Sequence, residues 1–231
     1  MKILVSWLIS IFLFTELTAQ SIDLSSVQSY EVRQNLRPVL SVMASQHELP
    51  APAGFFNFSR KLVFSTSLYN VYNVFNDSEY GTYIPSFWGG FVASPNLSLF
   101  MQIAHGKMQG ENIATFGPVI NFIWGDEARK NVINLSVIHL RGPDDFKVKD
   151  IALTIMKKHQ FGDNLFYYGF APHYLNVNID VEKTDLKKTI NETIYHLRTG
   201  FYRNINIFDF GFEMDICQET IITKFNLVAI L

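Results

Sequence analysis

Five histidines stand where acid–base or metal chemistry would be sought: His105, His139, His159, His173 and His196. An imidazole can exchange protons near neutral pH or offer a lone pair to a metal ion. No two of these five are spaced as ligands on one face of one strand. The chain has no CxxC, no HExxH and no glycine-rich phosphate loop ahead of a helix. Cys217 is the single cysteine and reads as a small apolar side chain. His196, with nearby Ser or acidic side chains, could be read as the rim site of a lipid-modifying hydrolase. A histidine held in an interior polar network is the plainer reading. The expectation is therefore no catalytic residue, no metal, no cofactor and no enzymatic activity.

Other charged residues fall in polar connections. Asp144-Asp145 and the run Glu182-Lys183-Thr184-Asp185-Leu186-Lys187-Lys188 read as solvated loop charges. Gly106 and Gly110 flank a further polar loop and read as turn residues. The formal net charge is −2, with no basic tract or acidic tail, so nucleic acid is not an expected partner.

The elements that would carry these side chains are β-strands of an exported chain. Lys2 precedes an apolar run from Ile3 to Phe14, and Leu17-Thr18-Ala19 ends in a small residue. This is the pattern of a secretory signal peptide cleaved between Ala19 and Gln20; an uncleaved anchor is the alternative. No later apolar run reaches the ~20 residues a spanning helix needs. A secreted chain with one cysteine must rely on hydrogen-bonded sheet and packing rather than on disulfides. Aromatic residues make up 15% of the chain, with 21 Phe and 10 Tyr, which suits an exterior that faces lipid. The organisation read from this is a signal peptide over 1–19, an N-terminal helix and link over 20–57, and a barrel over 58–231. Val27, Tyr30, Val32, Leu36, Val39, Leu40 and Met43 recur at roughly helical spacing with Pro38 as a breaker, which predicts a short helix near 24–36. Pro50-Ala51-Pro52-Ala53-Gly54 reads as an irregular link. This N-terminal part would cap one end of the barrel or sit in its lumen.

From residue 58 onward the periodicity is two. About ten segments rich in Val, Ile, Phe, Tyr and Thr are predicted as strands: 60–72, 84–94, 97–105, 113–125, 131–141, 148–159, 164–178, 192–202, 205–215 and 220–231. In Ile133-Asn134-Leu135-Ser136-Val137 apolar and polar positions alternate. From Phe208 to Asp215 one face is wholly apolar and the other is acidic or Gly. The connections alternate between longer polar ones (73–83, 106–112, 142–147, 179–191) and short ones (95–96, 126–130, 160–163, 203–204); a final short one, 216–219, breaks the trend. Long loops on one side and tight turns on the other is the arrangement of outer-membrane barrels. Trp124, Phe201 and Tyr202 at strand ends, with Tyr72, Phe75, Tyr80 and Tyr83 around the first long loop, would form aromatic girdles.

The C-terminal segment resembles the assembly signal of bacterial outer-membrane β-barrels. Lys224 stands at its polar position, and Ala229 and Leu231 at its alternating apolar ones. The chain departs from that signal in having Asn226 where Gly is usual and Leu231 where an aromatic residue is usual. The resemblance implies an all-β, antiparallel up-and-down transmembrane barrel of about ten strands, located in the outer membrane. Membrane lipid and, during biogenesis, the barrel-assembly machinery would be its partners, with any small-molecule ligand unknown. A structural barrel or a narrow pore or conduit is the expected function. One rival is a soluble, lipocalin-like exported barrel that binds an apolar ligand. Such a barrel would turn Phe208, Phe210 and Phe212 inward and leave Asp209, Glu213 and Asp215 in water. The second rival is the outer-membrane lipid hydrolase or acyltransferase.

One interior feature can be placed by register. With a turn at Arg203-Asn204, Arg198 falls opposite Asp209. With the next turn near Cys217-Gln218, Lys224 falls opposite Gly211, with Asp209 and Glu213 diagonal to it. Arg198, Asp209, Glu213 and Lys224 would then form a lumen charge cluster, held together because unpaired buried charge is costly. On the same parity, Phe210→Arg should block assembly while Gly211→Ser should not.

Overall fold

A computed structural model describes residues 37, 40–50, 62–73, 86–108, 111–126, 129–142, 146–181, 186–217 and 220–231. The signal peptide, the helix expected near 24–36, the link 51–57 and the residues Phe75, Tyr80 and Tyr83 lie outside the described residues.

Ten antiparallel strands close into one barrel: β1 (Leu62–Asn73), β2 (Ser86–Ser94), β3 (Leu97–Met108), β4 (Glu111–Gly125), β5 (Lys130–Arg141), β6 (Phe146–Phe161), β7 (Asn164–Val181), β8 (Leu186–Ile205), β9 (Phe208–Cys217) and β10 (Thr220–Ile230). Each pairs with its sequence neighbours, and β10 pairs back onto β1 from Val63↔Ile230 to Asn73↔Thr220. The seam continues past the ladder, where Leu62 N–H donates to Leu231 O at 3.1 Å and Leu231 N–H donates to Leu62 O at 2.9 Å. Closure removes the exposed sheet edges that an open sheet would present to lipid.

The alternation is inside out relative to a water-soluble barrel. Phe64, Phe91, Ile103, Phe116, Leu135, Ile155, Leu197, Phe210 and Phe225 face outward and are exposed. Ser67, Gln102, Asn121, Asn134, Asp150, His173, Arg198, Glu213 and Lys224 face inward and are buried. A wall with apolar side chains outside and polar ones inside is stable in a bilayer, whereas in water it would expose far more apolar surface than a monomer tolerates. Phe210 and Phe212 point out while Glu213 and Asp215 are buried, which is the membrane arrangement and the reverse of the lipocalin one. The protein has the architecture of an outer-membrane β-barrel. Among the described residues no helix is long and apolar enough to cross a membrane.

Three expectations need correction. First, the polar connections expected over 106–112 and 179–191 are largely strand, whereas much of 73–83 and 142–147 lies outside the described residues. β7 and β8 run 18 and 20 residues and leave only 182–185 between them. Their polar ends continue the ladder because the side chains pair across it. Asn176 Nδ2 donates to Asn191 Oδ1 at 2.7 Å and Thr189 Oγ1 donates to Asn178 Oδ1 at 2.8 Å. Second, the β8–β9 turn is not at Arg203-Asn204. Ile205 pairs with Phe208, so the turn is Asn206-Ile207, and Asn206 takes the left-handed conformation (φ 61°) that a tight two-residue hairpin requires. Third, Tyr202 belongs to no girdle. It is buried in the lumen, whereas Trp124 and Phe201 do face out. Even-numbered positions on β8 point inward, and the interior carboxylate Glu213 accepts the Tyr202 hydroxyl.

Candidate functional site

The lumen is occupied by the protein's own N-terminal segment. Residues 40–46 are helical, and 47–50 continue as an irregular strand of chain. Leu40, Met43 and Ala44 form the apolar stripe of this short helix. They pack on Ala104, Leu140, Val148, Val177, Ile194 and Cys217, which line the barrel toward the end that holds the β7–β8 connection. Leu49 packs on Val63, Trp88, Val92 and Val228, toward the end where β1 begins. The segment therefore runs lengthwise through the barrel. Arg37, at its upper end, pairs with Glu192 near the start of β8 (3.0 Å). The helix expected near 24–36 lies outside the described residues; beyond Pro38, residues 40–46 are helical, with their apolar stripe at 40–44 buried.

The polar side of the segment meets the polar inner wall. Glu48, fully buried, is the centre. Its Oε2 takes Arg198 Nε at 2.9 Å and Lys224 Nζ at 2.8 Å, and its Oε1 lies 3.1 Å from His173 Nε2 and 3.0 Å from His196 Nδ1. His47 Nδ1 lies 2.8 Å from Asp150 Oδ2, the same oxygen that faces His173 Nδ1 at 2.9 Å. Ser45 Oγ donates to Asp215 Oδ2 at 2.5 Å, and Lys224 donates to Ser45 O at 2.9 Å. Gln102 Nε2 donates to Gln46 O at 2.5 Å, and Arg198 donates to Leu49 O at 3.4 Å. Four successive residues of the segment, 45–48, thus bond to β3, β6, β7, β8, β9 and β10.

Behind Glu48 the wall carries its own pairs. Arg198 donates to Glu213 Oε2 at 3.1 Å and to Asp215 Oδ1 at 3.4 Å; Lys224 bonds closely to Asp215 and sits 4.0 Å from Glu213. Asn226 Nδ2 donates to the Tyr202 hydroxyl at 2.6 Å. Unpaired, any one of these charges would cost several kcal/mol in such surroundings; paired, each partner offsets the other's desolvation. Glu48 belongs to no spanning strand. Burial opposes its ionisation, but the positive charges of Arg198 and Lys224, then His196, outweigh burial and hold its carboxyl well below the usual carboxylate range.

The structure brings Arg198, Glu213 and Lys224 together and leaves Asp209 apart. Arg198 stands opposite Asp215, not Asp209, and Lys224 opposite Glu213, not Gly211, because the two turns lie further along the chain than expected. Asp209 is on the same inner face but near the short β8–β9 turn, where it accepts from Asn204 Nδ2 at 2.8 Å. Of the histidines, His173 and His196 are buried in the lumen, whereas His139 and His159 stack on the outward-facing rings of Phe116 and Tyr168. Sequence reasoning missed Ser45, His47 and Glu48 on the plug, and Asp150 and Tyr202 on the wall. The available signal for Asp150 was the one acidic residue of β6, at an inward position between Val148 and Ala152.

No family model matches the sequence, and no curated protein matches it. Among solved structures, the translocator domain of the autotransporter NalP from Neisseria meningitidis is 8% identical, with a TM-score of 0.44 over 85% of this chain and 97% of that one. LpxR from Salmonella typhimurium is 8% identical, with a TM-score of 0.42 over 74% of this chain and all of that one. The KdgM porin is 11% identical, with a TM-score of 0.39 over 71% and 98%. This chain spans 64% of OmpT, an outer membrane protein of Vibrio cholerae, at 8% identity and a TM-score of 0.37.

Proposed function

We propose that the protein is exported by its signal peptide to the outer membrane and works there as a self-plugged barrel, a narrow conduit held shut by residues 40–50. The observation that carries this reading is Glu48. A carboxylate from outside the wall reaches the middle of the lumen and bonds to side chains of β7, β8 and β10. A ten-stranded barrel is only slightly wider than one whose interior side chains fill it, so a single threaded segment is enough to close it. Opening then means breaking the pairs of Glu48, Ser45 and His47 with the wall, a two-state change in one element. On this reading the barrel catalyses no reaction. Its partners are membrane lipid, the barrel-assembly machinery during biogenesis and a small solute whose identity is open.

The test is single-channel recording in planar bilayers, with folding of each sample checked by its heat-dependent gel migration. Wild-type protein should be closed, Glu48→Ala should flicker open, and a chain lacking residues 20–50 should conduct steadily. Steady wild-type conductance equal to that of the truncated chain would contradict the reading.

A further inference from the structure

Among the described residues, four buried carboxylates, Glu48, Asp150, Glu213 and Asp215, share the central network with Arg198, Lys224 and three histidines, His47, His173 and His196. His173 presents both ring nitrogens to carboxylate oxygens, Nδ1 to Asp150 Oδ2 at 2.9 Å and Nε2 to Glu48 Oε1 at 3.1 Å. A neutral imidazole has one N–H. With that proton on Nδ1, the Nε2 lone pair points at the Glu48 oxygen, an arrangement that either a second ring proton or a bound cation between them satisfies.

We propose that a divalent transition-metal ion, zinc by the ligand set, binds between Glu48 Oε1, His173 Nε2 and His196 Nδ1. These three buried donors, from the plug, β7 and β8, lie within 4.8 Å of one another. Two of the edges are 3.1 and 3.0 Å. Donors about 2.0–2.1 Å from a tetrahedral zinc lie about 3.3 Å apart, close to both of these edges. Two histidines and one glutamate form a known zinc-binding set. Asp150 stands behind His173, accepting its Nδ1–H and so fixing the tautomer that frees Nε2, as the outer carboxylate of a metal-bound histidine does. The site is closed to bulk water, so the ion would enter as the plug docks during assembly, keeping one water as its fourth ligand, and would staple plug to wall.

The experiment is independent of whether the conduit ever opens. Full-length protein is produced with zinc supplied during growth, extracted in detergent without chelator, and assayed for metal by elemental mass spectrometry. Wild-type protein should hold about one zinc per chain. The double variant His173→Gln with His196→Gln should hold less than about a tenth of that, and His139→Gln, altered on the outer face, should keep it all. Production with cobalt supplies a readout on wild-type protein alone, since an internal site of this kind gives the intense visible bands of four-coordinate cobalt. Wild-type protein with less than about a tenth of an ion per chain, metal that survives the double variant, metal lost in His139→Gln, or weak six-coordinate cobalt bands would each overturn the proposal.

Discussion

Glu48 uses each of its carboxylate oxygens twice, two cations on one and two imidazoles on the other. Removing it leaves Arg198 and Lys224 buried with an acid partner fewer, which for a buried pair costs about 3–5 kcal/mol. Glu48→Ala should therefore loosen the plug far more than Asp209→Ala, whose carboxylate lies near a turn. Amide exchange of residues 40–49 is the measurement, and equal effects would remove Glu48 from the centre of the network. The pH dependence has a definite sign. A carboxyl whose folded pKa is depressed contributes stability that is present above its ordinary value and lost as pH falls through the depressed one. The Glu48 contribution should persist down to about pH 4.3, the ordinary glutamate value, and fade below it. Exchange protection of the plug followed downward in pH checks this, and complete loss of protection above that value would contradict it. Of the central residues, Arg198, Glu213 and Lys224 were legible because period-two alternation fixes which face a strand residue takes. Glu48 was not legible, since parity says nothing of a residue outside the strands.

The strands were legible as elements because each buries one face and exposes the other to lipid, so the alternation persists for their whole length. Register was less so, because it depends on the turn residue, and the φ 61° at Asn206 moves the β8–β9 pairing three residues along both strands from the expected position. The shift changes a mutational expectation. Gly211 stands opposite Tyr202, and a Cβ there would meet the Tyr202 ring at 2.1 Å. The ring lies over the glycine and hands its hydroxyl to Glu213. Gly211→Ser should therefore be destabilising and not neutral, while Gly211→Ser combined with Tyr202→Leu should recover part of the loss. Phe210→Arg, on the lipid face but close to the β8–β9 turn, should cost about 0–1 kcal/mol rather than the ~2–4 kcal/mol of a mid-membrane site, so it should be milder than expected from parity alone. Urea titration of the folded fraction in micelles reads all three. A harmless Gly211→Ser would mean that the ring does not occupy that space.

At the scale of the molecule, the described part of the segment runs from Arg37, paired with Glu192 near the start of β8, to Leu49, packed near Val63 and Val92. Arg37 and the β6–β7 turn at Gly162-Asp163 thus stand at opposite rims. A cysteine at 37 and one at 162, each in a Cys217→Ser background, should be labelled by an impermeant reagent from opposite sides of the membrane; labelling of both from one side would rule out a threaded segment. The barrel as a whole could be read from alternation and aromatic content. Its contents could not, because 40–49 has the composition of an ordinary amphipathic link, and only the closed wall reveals where its polar side is satisfied. The most direct test of the plugged lumen is the reactivity of Ser45→Cys, again with Cys217→Ser. Ser45 is fully buried against Asp215. In the folded barrel the new thiol should resist an impermeant maleimide and react once the protein is unfolded or Glu48→Ala is added. A thiol at 45 that reacts in the folded wild-type background as fast as one in the unfolded chain would show that the lumen is not closed by this segment.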